Sequence, residues 1–231
     1  TAGAVSAAQS TVVAAPGSIT AGGSGSTITV TAKDANSNPI SGATVVLAAT
    51  GTGNTLTQPV GTTNGSGVAT GTLTSTVAEG KTVSATIAGV AITQTAGVTV
   101  TAGAASAAQS TASVPAGTAG SVTTVTITVR DANNNIRTAN NDAALLSVSV
   151  TGANTAAPTV VSAGSGTYTA SYTPTVAGTD HIAITLSAAA ISGSPYSSVV
   201  SAGAVSAAQS TVAAAPGSIT AGGSGSTITV T

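Results

Sequence analysis

The chain has no cysteine, methionine, tryptophan or phenylalanine, and three tyrosines are its only residues of the Phe, Trp and Tyr class. Without cysteine it can form no disulfide, which fits an extracellular bacterial protein or a cytosolic one equally well. Charge is almost as scarce: 4% of residues are Asp, Glu, Lys or Arg, and the formal net charge is -1. Nucleic acid and anionic lipid both require clustered Lys and Arg, so neither is an expected partner. No run approaches the roughly 18 apolar residues of a membrane-spanning helix, so no membrane insertion is expected of this segment. The first residue is not methionine and no signal peptide precedes the repeats, which leads us to expect a sequence lying inside a longer polypeptide. Disordered chains combine low hydrophobicity with high charge; here the mean hydropathy is +0.45.

What fills the chain is Ala, Thr, Val, Ser and Gly, and it is arranged in repeats. Ala-Gly-Ala-Val-Ser-Ala-Ala-Gln-Ser-Thr begins at Ala2, returns at Ala102 with Ala105 in place of Val5, and returns unchanged at Ala202. Residues 1–31 and 201–231 differ only at Thr1/Ser201 and Val13/Ala213. Such periodicity predicts a tandem array of two alternating kinds of domain. The expected units are residues 1–100, 101–200 and 201–231, the last being the N-terminal part of a third. That part either continues into a full domain, the favoured reading, or completes a sandwich in a neighbouring molecule by strand addition.

Within each unit the periodicity is two. Ile28, Val30 and Ala32 alternate with Thr27, Thr29 and Thr31, and Val125, Ile127 and Val129 alternate with threonines in the second unit. Alternation of β-branched residues predicts half-buried strands. Further strands are expected over residues 43–50, 67–75, 81–87 and 90–100, then around Leu146–Val150, over 166–173, around Ile182–Leu186 and over 191–200. The repeated cassette is read as a short junction followed by an opening strand over Ser6–Val13. Many short strands separated by turn residues predict an all-β fold of tandem immunoglobulin-like sandwiches in a linear array.

Two resemblances rest on particular stretches. Asp34-Ala-Asn-Ser-Asn-Pro39-Ile-Ser-Gly-Ala-Thr-Val45, Thr63-Asn-Gly-Ser-Gly-Val68 and Lys81-Thr-Val-Ser-Ala-Thr86 resemble the bacterial immunoglobulin-like domain of invasin/intimin-type adhesins. Gly166-Thr-Tyr168-Thr-Ala-Ser-Tyr172-Thr-Pro174, Gly178 and Gly193-Ser-Pro195-Tyr196 resemble a filamin-type immunoglobulin repeat. The resemblances imply the sandwich fold and a stalk-like role for the array.

Candidate sites are few. Asp34-x-Asn36-x-Asn38 and Asp131-x-Asn133-x-Asn135 have the oxygen spacing that opens a calcium loop, but lack the glycine and distal glutamate that complete one. A turn held by Asx side chains is the expectation, and no cofactor is expected. Tyr168 and Tyr172 fall on one strand face, as the bulkiest core or rim groups or as a platform for a ligand. Asp180 and His181 point to opposite faces, which argues against catalysis. Asn64-Gly65-Ser66 is a glycosylation sequon that reads as an Asn-Gly turn. Lys33, Lys81, Glu79, Arg137 and Asp142 are too scattered along the sequence to suggest a charged patch.

The expected function is structural: a non-enzymatic segment of a bacterial extracellular filament or giant adhesin stalk, displayed at the cell surface. It would act by end-to-end stacking, its partners being neighbouring repeats or other copies of itself. A glycan- or protein-binding module, or an accessory domain pair of a secreted hydrolase, are the alternatives.

Overall fold

The structure, a computed structural model, describes residues 2–139 and 141–231. In the first unit β1 (Thr11–Ala15), β2 (Ser18–Thr20), β3 (Ser26–Thr31), β4 (Val45–Ala49), β5 (Asn54–Thr57), β6 (Val68–Ser75), β7 (Gly80–Ile87), β8 (Val90–Ala91) and β9 (Ala96–Thr101) form two sheets. One has the order β1-β3-β6-β5; the other has β2-β9-β7-β4, with β8 paired to β7. The sheets face each other through alternate residues. Ile28 and Val30 of β3 and Leu73 of β6 meet Val83 and Ile87 of β7, and all are buried. Their neighbours Thr27 and Thr29 face outward or lie half-buried, so β-branched hydroxyls fill the outer pleat.

The second unit repeats this plan with β10 (Thr111–Ser113), β11 (Gly117–Thr118), β12 (Thr123–Thr128), β13 (Leu146–Gly152), β14 (Val160–Gly164), β15 (Thr167–Tyr172), β16 (Gly178–Leu186), β17 (Ala189–Ala190) and β18 (Tyr196–Ser201). Sheet β10-β12-β15-β14 packs on β11-β18-β16-β13 around its own core. The fold is therefore the expected one: two tandem immunoglobulin-like sandwiches. In residues 201–231, β19 (Val212–Ala215) and β20 (Thr227–Val230) pair antiparallel, in the register of Val12 with Val30 in the first unit. Val12 is buried at 1% exposure, whereas its counterpart Val212 is 70% exposed, because no second sheet lies over it.

Several expectations change in detail. The cassette opens with a turn, and the strand begins at Thr11 rather than Ser6. Ser10 is the reason: its hydroxyl accepts the Lys33 N–H at 3.0 Å and donates to the Lys33 carbonyl, ending the ladder with β3. Ser110 does the same for the Arg130 N–H at 3.1 Å. The Ala-Pro-Gly connection after β1 carries the chain into the other sheet, where β2 runs parallel to β9. Its three residues are too few to show alternation. Strands β5 and β14 also lie outside the expected segments.

The charged residues also depart from the expectation. Lys81 is buried within the first unit, its ammonium paired with Glu79 and hydrogen-bonded to the Thr52 carbonyl. Arg137 clamps the buried Asp142 through two bonds, Nε to Oδ2 at 3.0 Å and Nη2 to Oδ1 at 2.9 Å. Each pair thus has one buried member, Lys81 or Asp142, rather than being scattered surface charge.

Candidate functional site

The functional question centres on the two Asx turns and on the place where one sandwich meets the next. Asp34 lies at the end of β3 and is buried. Its Oδ1 accepts the N–H groups of Asn36 and Asn38, both at 2.9 Å. Its Oδ2 accepts from Gly3 N at 2.9 Å and from Asn38 Nδ2 at 3.0 Å. Asp131 repeats the arrangement 97 residues later: Oδ1 takes Asn133 N and Asn135 N, and Oδ2 takes Gly103 N and Asn135 Nδ2. Both carboxylates are thus surrounded by donors, whereas a calcium ion needs converging oxygens. The calcium candidates Asp34, Asn36, Asn38, Asp131, Asn133 and Asn135 are arranged here as two Asx turns. Among the described residues no group of three or more His, Cys, Asp or Glu could hold a metal.

Donor bonds favour the ionised form. The Asn38 side chain first, and then the Gly3 N–H, hold the Asp34 carboxyl below its ordinary value of 3.8, at about 2. Burial raises Asp131, but the bonds from Asn135, Gly103 and Asn133 outweigh it and leave its pKa lowered. Because Asp34 is depressed in the folded state, the stability it contributes is complete above its unfolded pKa and is lost as pH falls through about 2. Carbon NMR of the Asp34 carboxyl should therefore give a midpoint near 2. A midpoint at the ordinary value would show that the turn does not hold the charge.

The second Asx turn does more than the first. Asn135 sends its amide across the junction between the sandwiches: Nδ2 donates to the Thr76 carbonyl at 2.9 Å, and Oδ1 accepts the Ala78 N–H at 2.9 Å. Beside it, Asn133 Nδ2 donates to the Ala21 carbonyl at 3.4 Å. Here glycine is required at position 22, where φ is +72° and an added Cβ would lie 2.7 Å from Asn133 Nδ2. The link between the units is short. Thr101 ends β9, and by Gly103 the chain is tied into the second unit, its N–H to Asp131 and its carbonyl to the Arg137 guanidinium. Arg137 in turn grips Asp142, whose N–H donates to the buried Tyr168 hydroxyl at 2.9 Å. A continuous set of bonds therefore runs from the core of the second unit to the joint. A cleft beside the joint is lined by Ala78, Thr101, Ile136 and Arg137.

The tyrosines offer no platform. Tyr168 is fully buried, and Tyr172 is buried with its hydroxyl donating to Asp180 Oδ2 at 2.9 Å. Burial pushes both phenols up, and the Asp142 bond raises Arg137 further. His181 is exposed and points away from buried Asp180, as strand alternation requires. Asn64 Oδ1 accepts the N–H groups of Ser66 and Val68, both at 3.0 Å, so the sequon forms an Asx turn.

Sequence reasoning missed Thr76, Ala78 and Arg137 as joint residues. A signal was available: Thr76-Val77-Ala78 recurs as Thr175-Val176-Ala177.

Known proteins share this fold. InvD of Yersinia pseudotuberculosis is 33% identical over 89% of the chain, with a TM-score of 0.60. The Escherichia coli adhesin FdeC is 27% identical over 86%, with a TM-score of 0.53. Invasin, a bacterial integrin-binding protein, shares the fold at 22% identity over 91%, with a TM-score of 0.62. The chain spans 62%, 66% and 42% of those three structures, respectively. No curated protein matches it. Two family models match, and the chain resembles Invasin, domain 3, over residues 6–103 and the Filamin/ABP280 repeat over residues 99–197.

Proposed function

We propose that this chain is a stalk segment of a bacterial surface adhesin, in which immunoglobulin-like units stacked end to end hold a binding domain away from the cell. The observation that carries the reading is the Asn135 amide bonded to Thr76 and Ala78 across the junction. Two sandwiches tethered only by a linker would wander, whereas a donor and an acceptor on one rigid amide fix both separation and twist. The likeness to FdeC, a described adhesin, and to InvD supports the surface role. On this reading residues 201–231 open a third unit of the first kind, and the array's partners are its own repeats.

Asn135→Ala tests the alignment. It removes the two hydrogen bonds that cross the joint, each worth about 1 kcal/mol net, and so favours opening of the joint by about 2 kcal/mol, besides the bond to Asp131 within its own turn. Residual dipolar couplings from both units should fit one common tensor in the wild type and require two in the variant. One tensor in both proteins would show that the amide does not align the units.

A further inference from the structure

The first unit carries the same Asx turn as the second, but among the described residues no group of another unit bonds the Asn38 side chain as Thr76 and Ala78 bond Asn135. Asn38 Nδ2 donates to Asp34 Oδ2 as Asn135 Nδ2 donates to Asp131 Oδ2. That bond fixes the amide, turning Oδ1 outward as an acceptor, and Asn38 is exposed where Asn135 is half-buried. At the opposite end of the chain, the second unit carries the matching half. Its Ala119–Gly120 turn is built as the Ala21–Gly22 turn is: Gly120 N donates to the Pro174 carbonyl at 2.8 Å, and Gly22 N to the Ser75 carbonyl at 2.9 Å. The next loop is Thr175-Val176-Ala177, identical to Thr76-Val77-Ala78. Asn154 shapes it in advance, accepting Thr175 N at 2.8 Å and Val176 N at 3.0 Å while donating to the Val176 carbonyl at 2.8 Å. These bonds leave the Thr175 carbonyl and the Ala177 N–H, the counterparts of the two groups that Asn135 engages, facing solvent in exposed residues.

We propose that Asn38 is half of a second joint, and that its occupant is the Thr175–Ala177 loop of a second copy of the 101–200 unit placed ahead of residue 1. The inference rests on the stacking reading above and adds the atoms that read one unit against the next. Asn38 Nδ2 donates to the Thr175 carbonyl, and Asn38 Oδ1 accepts the Ala177 N–H. The covalent path exists in the sequence, since residues 201–231 repeat 1–31 apart from the two substitutions. A unit of the second kind therefore runs directly into the opening of a unit of the first kind. Each amide faces a Thr-Val-Ala loop of the other kind of unit, so the two kinds alternate.

The test places residues 1–200 directly ahead of the full chain and follows amide exchange. Ala177 N–H of the leading copy should exchange about tenfold more slowly than in the single chain, on the order of the protection one added hydrogen bond gives. Asn38→Ala in the trailing copy should abolish that protection, as should Asn38→Gln, which keeps the amide but moves it by one methylene. Protection of the Asn36 N–H reports that the Asp34 turn is still folded in each variant. Equal Ala177 exchange in the tandem and the single chain overturns the proposal. Small-angle scattering separates the two ideas: a straight rod with unprotected Ala177 sinks the Asn38 joint alone, and a freely bending tandem sinks stacking with it.

Discussion

Tyr168→Ala lowers the stability of the second unit by about 4 kcal/mol, the range found for truncating a buried aromatic side chain, and leaves the first unit's unfolding midpoint in place. Tyr168 is the largest fully buried side chain of the protein. Around it the core holds mainly Val, Ile, Leu and Ala, with Tyr172 tied to Asp180, and these cannot swing in to fill a ring-sized cavity. The loss is confined because the two units have separate cores. Urea unfolding followed by NMR of resolved methyl signals from each unit measures both midpoints. Tyr168→Phe isolates the hydroxyl: it strands the Asp142 N–H and costs about 1–2 kcal/mol. An alanine variant whose second unit melts with the wild type would mean that the ring is not supporting this core.

Asp131→Ala should cost the second unit about 3 kcal/mol near neutral pH, because one buried carboxylate accepts four hydrogen bonds, from Asn133 N, Asn135 N, Gly103 N and Asn135 Nδ2. Asp131→Asn keeps one acceptor oxygen and costs less, about 1 kcal/mol. The pH dependence identifies the mechanism. The folded pKa of Asp131 is lowered, so its contribution is present above the unfolded value of about 4 and fades as pH falls below it. The gap between wild type and Asp131→Ala, read from urea midpoints, should be widest near neutrality and narrow in acid. A gap independent of pH would assign the loss to packing rather than to the charge.

The sandwich was legible because Ile28, Val30, Val125 and Ile127 alternate with threonine, and period two admits one local structure. Short strands such as β2 and β5 escaped that reading, since their pairing is set by partners distant in sequence. The Asx turns could be read from Asp, Asn and their spacing; their use could not. Nothing local distinguishes Asn38, which faces solvent, from Asn135, which bridges two sandwiches. The difference lies in Thr76 and Ala78, whose part is played by backbone atoms that any residue would supply. Likewise Lys81 and Glu79 read as surface charges until the strand order closed over Lys81.

One property of the joint bears on the proposed stalk role. The bonds that cross it from Asn133 and Asn135 join neutral amides to backbone groups. Added salt weakens exposed ion pairs by screening, and it has little purchase on contacts of this kind. On the stalk reading proposed above, a rod aligned by amides would keep its shape from fresh water to brine, and the scarcity of charge would remove the repulsion that otherwise changes with the medium.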